Sequence, residues 1–307
     1  MSSTSSIARG RTARITLATL LCAAGTGCGS PEDDPPAPPA PPPTVFGGDR
    51  PVELFVPAGH DPATPAPLLV LLHGYGVSGA VQDLYWALRA QALERGFLYA
   101  HPDGTVDSEG HRFWNATDAC CNFDGASVDD SGYLMGLVDA IAAAYAVDPK
   151  RVYFTGHSNG GFMSFRMACD HADRIAAIAS LAGATYADPS ACAPSEPVHV
   201  LALHGTADDD ILYDGGTSAA PYPGAVATAE TWASYDGCSP TADTSAAPLD
   251  LDEGVAGAET AVQRWATGCD PGGSAELWSM TGVTHIPTVG PDFTPSILDF
   301  LLAHPKP

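Results

Sequence analysis

The chain has 307 residues and is strongly acidic, with 36 Asp and Glu against 13 Lys and Arg, a formal net charge of −23. That balance argues against nucleic acid and strongly anionic polymers as partners, and it suits solubility outside the cell.

The N-terminus reads as an export apparatus. Arg9, Arg11 and Arg14 precede an apolar run from Ile15 to Ala24 that is too short to span a bilayer permanently, and the small residues Gly25-Thr-Gly-Cys28 come after it,. Residues 1–27 are therefore expected to be an export signal. The sequence ending at Cys28 resembles a bacterial lipoprotein processing site, which makes Cys28 the lipidation candidate and a membrane lipid anchor the implied partner. Gly25 departs from that pattern, where a larger aliphatic residue is usual, so plain secretion is the alternative. Removing residues 1–27 takes away three arginines and no acids, leaving 10 − 36 = −26. Residues 28–44 are rich in proline and alanine and read as a stiff, disordered spacer. The remaining residues, 45–307, have the length of one open α/β domain.

Within that domain, Val52 to Val56 alternates like an edge strand, whereas Leu68 to Leu72 is a continuous apolar run of the kind buried on both faces,. That run ends in His73-Gly-Tyr-Gly76. A helix is expected from about Val81 to Arg95, then a strand from Gly96 to Ala100. The long loop 105–128 holds Trp114, the neighbours Cys120 and Cys121, and Phe123; loops of this length tend to be functional or pinned by disulfides. Trp114 is the candidate substrate contact. Asp129 and Asp130 read as the N-terminal cap and dipole complement of a helix from Ser131 to Tyr145.

Next comes Arg151-Val-Tyr-Phe-Thr-Gly-His-Ser-Asn-Gly-Gly-Phe-Met163, a strand, a sharp turn and a helix with GxSxG at its centre. Such an elbow lifts a serine, here Ser158, above the C-terminal edge of a parallel sheet, and the following N–H, that of Asn159, can face a reacting carbonyl oxygen. Further strands are expected at Ile175 to Leu181, Val198 to Leu203 and Ala275 to Met280, with a helix around Ala225 to Tyr235. The acidic segment 237–259 reads as irregular surface loop. Its Asp250-Leu-Asp-Glu-Gly254 lacks the full ligand spacing of a calcium loop. Pro295 opens a terminal helix from Ser296 to His304.

Six cysteines lie beyond the signal and Cys28: Cys120, Cys121, Cys169, Cys192, Cys238 and Cys269. An even count in an exported chain implies disulfides, and no metal-ligand spacing is present. Cys238 with Cys269 is the best pair. Cys120 and Cys121 either join each other or reach separately to Cys169 and Cys192.

A carboxylate just past a central strand and a histidine after the last one complete a set. Asp208, in His204-Gly-Thr-Ala-Asp208, lies at the sheet edge that carries Ser158; Asp209 and Asp210 read as solvated loop acids. His285 comes after the final strand. Ser158, Asp208 and His285 fall in the Ser, acid, His order of an α/β-hydrolase triad, with no metal or organic cofactor required. In that fold the His-Gly turn supplies a second oxyanion donor, by position the N–H of Tyr75. The expected architecture is a mostly parallel central sheet with helices on both faces.

Taken together, Leu72-His-Gly-Tyr-Gly76, Trp114 with Ala119-Cys-Cys121, Val128-Asp-Asp130, Gly156-His-Ser-Asn-Gly-Gly161, Arg166-Met-Ala-Cys169 and His204-Gly-Thr-Ala-Asp208 resemble the secreted polyhydroxybutyrate depolymerase-like esterases, which include feruloyl and acetylxylan esterases. The resemblance covers about residues 50–303. It implies that Ser158, Asp208 and His285 form the triad and that the substrate is an ester on a plant cell-wall polysaccharide fragment or a polyester. One departure is Ile286-Pro287-Thr288, where the family commonly has Trp-Pro-Gly. The expected activity is that of a feruloyl-esterase-like carboxylesterase. A polyhydroxybutyrate depolymerase is the alternative, and a non-catalytic binding lipoprotein is the alternative of another class. Nothing in the sequence addresses oligomeric state.

Overall fold

The computed structural model describes residues 41–307, of which Pro42–Pro307 form one compact unit. The export segment, Cys28 and most of the proline-rich stretch lie outside the described residues.

In chain order the elements are β1 (Val45–Phe46), β2 (Val52–Phe55), β3 (Ala66–Leu72), α1 (Gly79–Trp86), α2 (Leu88–Glu94) and β4 (Leu98–Ala100). A small hairpin of β5 (Thr105–Val106) and β6 (Arg112–Phe113) comes next, then α3 (Asp130–Ala144), β7 (Val147–His157), α4 (Asn159–Asp170), β8 (Ala177–Leu181) and β9 (His199–Gly205). A second hairpin, β10 (Gly215–Thr217) with β11 (Pro221–Pro223), leads to α5 (Ala225–Tyr235), β12 (Thr260–Trp265), β13 (Ser274–Met280) and α6 (Phe293–Ala303).

Nine strands form one sheet in the order β1-β2-β4-β3-β7-β8-β9-β13-β12. From β4 to β13 every neighbouring pair is parallel, and antiparallel strands occupy both edges. The run at 68–72 shows why a continuous apolar stretch is needed. Successive side chains of a strand point to opposite faces, so Leu68, Val70 and Leu72 enter the core under α3, α4 and α5, while Leu69 and Leu71 enter the core under α1, α2 and α6. Both layers are closed, as a parallel sheet requires.

Two elements differ from the sequence reading. The helix expected over 81–95 breaks at Ala87, whose φ is 48°. The buried Asp83 carboxylate accepts the Arg89 N–H at 2.8 Å and the Tyr99 hydroxyl at 2.9 Å, so a tertiary contact takes over where the intrahelical ladder would have continued. The segment 237–259 leads into the edge strand β12, which the sequence reading did not expect and which pairs antiparallel with β13.

The disulfides resolve the open pairings: Cys120 joins Cys121, Cys169 joins Cys192, and Cys238 joins Cys269. Asp129 caps α3 by accepting the Gly132 N–H at 2.8 Å. Asp130 is fully buried and holds Arg50 at 2.6 Å and the Asn115 N–H at 2.7 Å, which fixes the start of the 114–128 loop.

Candidate active site

The C-terminal ends of β3, β7, β9 and β13 converge on one cleft of about 520 Å³, the position at which open parallel sheets bind ligands. Gly74, Tyr75, Ser158 and His285 all line it.

Ser158 sits between β7 and α4 with φ 54° and ψ −120°, a backbone conformation that costs an L-residue on the order of 1–3 kcal/mol and is typical of functional turns. Close packing enforces it. A Cβ at Gly160 would collide with the Leu72 carbonyl of β3, so only glycine lets the helix start this near the sheet,. Ser158 holds the elbow from both sides: its N–H donates to the Leu181 carbonyl at 2.8 Å and its carbonyl accepts the Phe162 N–H at 2.9 Å.

Asp208 and His285 come from neighbouring strand ends that are stitched together. Thr206 N–H donates to the Met280 carbonyl at 2.9 Å and Ala207 N–H to the Val283 carbonyl at 3.0 Å. At Gly205 a Cβ would strike the Val283 carbonyl, which explains the glycine in this loop. His285 Nδ1 lies 2.8 Å from Asp208 Oδ2, and both residues are buried. Asp208 Oδ1 accepts the N–H groups of Ile211 at 2.8 Å and Asp210 at 3.0 Å. His204 Nε2 adds a contact at 3.3 Å while donating to the Ile211 carbonyl at 2.7 Å. Burial pushes the Asp208 carboxyl up, but the hydrogen bonds from His204 and His285 outweigh it and hold the group well below the ordinary carboxylate range,. It is therefore an anion fixed on the imidazole. Asp209 is exposed, and Asp210 lines the cleft.

Three contacts anchor the loop that carries His285. His157 Nε2 donates to the His285 carbonyl at 2.8 Å, Tyr85 Oη to the Pro287 carbonyl at 2.6 Å, and Asp252 accepts the Thr288 N–H at 2.8 Å. Asp252, read from the sequence as a surface acid, is thus a buried brace of this loop. Among the described residues no hydrogen bond joins Ser158 to His285; such catalytic bonds often tighten only when substrate is bound.

The N–H groups of Tyr75 and Asn159, the expected oxyanion donors, have no acceptor among the described residues. The Asn159 side chain is spent elsewhere: its Oδ1 accepts the Trp114 N–H at 2.7 Å and its Nδ2 donates to the Trp114 carbonyl at 3.0 Å. The Tyr75 hydroxyl donates to Asp107 at 2.5 Å, and that bond pushes the phenol up to about 12.

Trp114 does not contact substrate space. It is fully buried and stands outside the cleft lining. Its ring packs on His73 with centroids 5.0 Å apart, and its Nε1 donates to the His73 carbonyl at 3.1 Å, so it props the turn that begins at His73. His73 is itself fixed: Nδ1 donates to the Gly74 carbonyl at 2.7 Å and Nε2 accepts the Gly104 N–H at 2.9 Å. The side chains that do form the walls include Val81, Gln82, Tyr85, Phe123 and the Cys120–Cys121 pair. Of these, Gln82 carried no sequence signal beyond its place in a helix.

The sheet, the elbow and the acid–imidazole pair define an α/β-hydrolase. The chain belongs to the Esterase family, whose model, described as "Putative esterase", matches residues 44–252. Feruloyl esterase B of Piromyces equi is 31% identical over 198 residues, covering 62% of this chain and 36% of that protein. Feruloyl esterase C of Emericella nidulans is 26% identical over 223 residues, covering 70% of each. In fold, an acetyl xylan esterase from Aspergillus awamori superposes with a TM-score of 0.57 at 17% identity, covering 82% of this chain and 93% of that one. The chain spans less than half the length of the first three curated relatives it matches.

Proposed function

We propose that this chain is an exported serine carboxylesterase that hydrolyses feruloyl or acetyl esters of plant cell-wall polysaccharide. The observation that carries the reading is the His285–Asp208 bond of 2.8 Å at the cleft where Ser158 is held in a strained elbow. In this mechanism His285 takes the Ser158 proton as Oγ attacks the ester carbonyl, and Asp208 holds the imidazole in the tautomer that can accept it. The carbonyl oxygen becomes an anion facing the Tyr75 and Asn159 N–H groups and the N-terminus of α4. The protonated His285 gives its proton to the leaving alcohol, and water repeats the sequence on the acyl-serine. Three disulfides support export,.

The similarity to feruloyl esterases favours cell-wall esters. A polyester substrate is the second reading, favoured by the apolar side chains at the cleft that stay exposed: Val81, Phe123 and Ile286 at 52%, 54% and 64%. Turnover of methyl ferulate, acetylated xylan and short 3-hydroxybutyrate oligomers by the purified chain, with Ser158→Ala as the blank, separates the two. Preference for methyl ferulate or acetylated xylan supports the first reading, and preference for the oligomers the second. Inactivity of the folded protein on all three counts against both and favours a binding lipoprotein.

A further inference from the structure

Helix α1 starts at its Ser78 cap and lays one residue, Gln82, against the oxyanion loop. Gln82 is only 2% exposed yet belongs to the cleft lining with Gly74, Tyr75 and Ser158. Its Oε1 accepts the Gly74 N–H at 3.3 Å. A carboxamide has one accepting arm and one donating arm, so this bond commits the oxygen and leaves Nε2 as the free arm. Nε2 is buried and has no hydrogen-bond partner among the described residues.

A buried donor without an acceptor costs about 1–3 kcal/mol, and here it belongs to a side chain bonded to Gly74, the residue before an expected oxyanion donor. The Tyr75 and Asn159 N–H groups also lack acceptors among the described residues. Tyr75 and Gln82 both belong to the cleft lining, Asn159 is buried directly behind Ser158, and among the described residues no Lys or Arg lines the cleft. The reaction supplies the acceptor: when Ser158 Oγ adds to the carbonyl carbon, the C=O π pair moves onto oxygen while the serine proton passes to His285.

We propose that Gln82 is a catalytic residue whose Nε2 donates to the ester carbonyl oxygen as it becomes an anion, a third donor beside the two backbone N–H groups. The same side chain fixes the Gly74 peptide through Oε1, so one residue both orders the oxyanion loop and completes it. This inference rests on the esterase reading of the site.

The test uses the full chain with p-nitrophenyl acetate at about pH 8. Ser158→Ala reports on the esterase reading: if it keeps wild-type turnover, that reading falls and this one with it. With Ser158→Ala silent, Gln82→Glu and Gln82→Met decide. Glu keeps an oxygen for the Gly74 N–H but as a carboxylate has no proton to give; Met keeps the length and loses both functions. The expected result is a kcat lowered on the order of 100- to 1,000-fold in both variants, the scale of one lost oxyanion donor, with KM within about threefold. Wild-type kcat in Gln82→Glu, or a loss confined to KM, overturns the assignment and leaves Gln82 as a brace of Gly74. A trifluoromethyl ketone, which forms an anionic hemiketal on the serine, gives a second readout should Gln82→Glu fail to fold. Its affinity for Gln82→Met should fall by the same factor as kcat, and unchanged affinity contradicts the proposal.

Discussion

The residue before Ser158 holds the backbone of His285: His157 Nε2 donates to the His285 carbonyl at 2.8 Å, with the two rings 4.9 Å apart between centroids. The elbow and the loop that carries His285, 128 residues apart in sequence, are thereby locked together. Burial pushes His157 down to about 4, and the neighbouring His285 adds to it, so the ring is a neutral donor at working pH.

His157→Leu should lower kcat about tenfold with little change in KM, because a lost brace misplaces His285 without touching bound ester. His157→Gln, which retains an N–H in reach, should recover part of the loss. Stability adds a second check. His157 binds its proton less readily folded than unfolded, where its value is 6.5, so its contribution is present above about 6.5 and is lost as pH falls through about 4,. Melting temperature against pH should be flatter across that window in His157→Gln than in the wild type.

Trp114 gives a prediction opposite to that of a substrate contact. Trp114→Phe keeps a ring on His73 and loses the Nε1 bond to the His73 carbonyl. A loss of about 1 kcal/mol in stability and a severalfold drop in kcat are expected, equal for acetyl and feruloyl esters. A change in the ratio of kcat/KM between those esters would place Trp114 on the substrate after all.

Asp236 is buried beside the start of β9; its Oδ1 accepts the Val198 N–H at 3.1 Å while its Oδ2 has no partner among the described residues. Burial pushes this carboxyl up to about 8 from the ordinary 3.8. The folded state therefore keeps a proton that the unfolded state releases, and the associated stability is full below about 3.8 and lost as pH rises through about 8,. Asp236→Asn should be more stable than the wild type by a margin that grows from about pH 4 to about pH 8 and levels off above. A constant margin measured by urea titration across that range would show that Asp236 is ionised in the folded protein.

The three disulfides should differ sharply in their weight. Cys169–Cys192 and Cys238–Cys269 close chain separations of 23 and 31 residues, so loop-closure entropy gives each about 3.5 kcal/mol. Cys120–Cys121 closes no loop. Replacing both of its cysteines by serine should leave the urea midpoint close to wild type while altering ester kinetics, since the pair lines the cleft. Cys238→Ser with Cys269→Ser should lower the midpoint strongly.

Much of this was legible in the chain because the relevant signals are local. The apolar run at 68–72, the strand and glycines around Ser158, and the cap at Asp129 each specify their own conformation. Helix α5 falls at the expected residues. The features that escaped depend on distant partners. The break at Ala87 is set by Asp83 meeting Arg89 and Tyr99, and the burial of Trp114 by His73 and Asn159. Strand β12 carried only a two-residue alternation, in Thr260 and Val262, and it sat next to an acidic segment whose loop character masked it. The role of Gln82 is visible only once Gly74 lies beside it.

The central claim is that Ser158 is the nucleophile of this cleft. The most direct measurement is mass mapping of the full chain after treatment with a fluorophosphonate, compared with Ser158→Ala and His285→Ala. The account predicts one adduct per chain on the peptide bearing Ser158, none in Ser158→Ala, and much slower labelling in His285→Ala. An adduct on another residue, or ester hydrolysis that continues with Ser158 unlabelled, would contradict it.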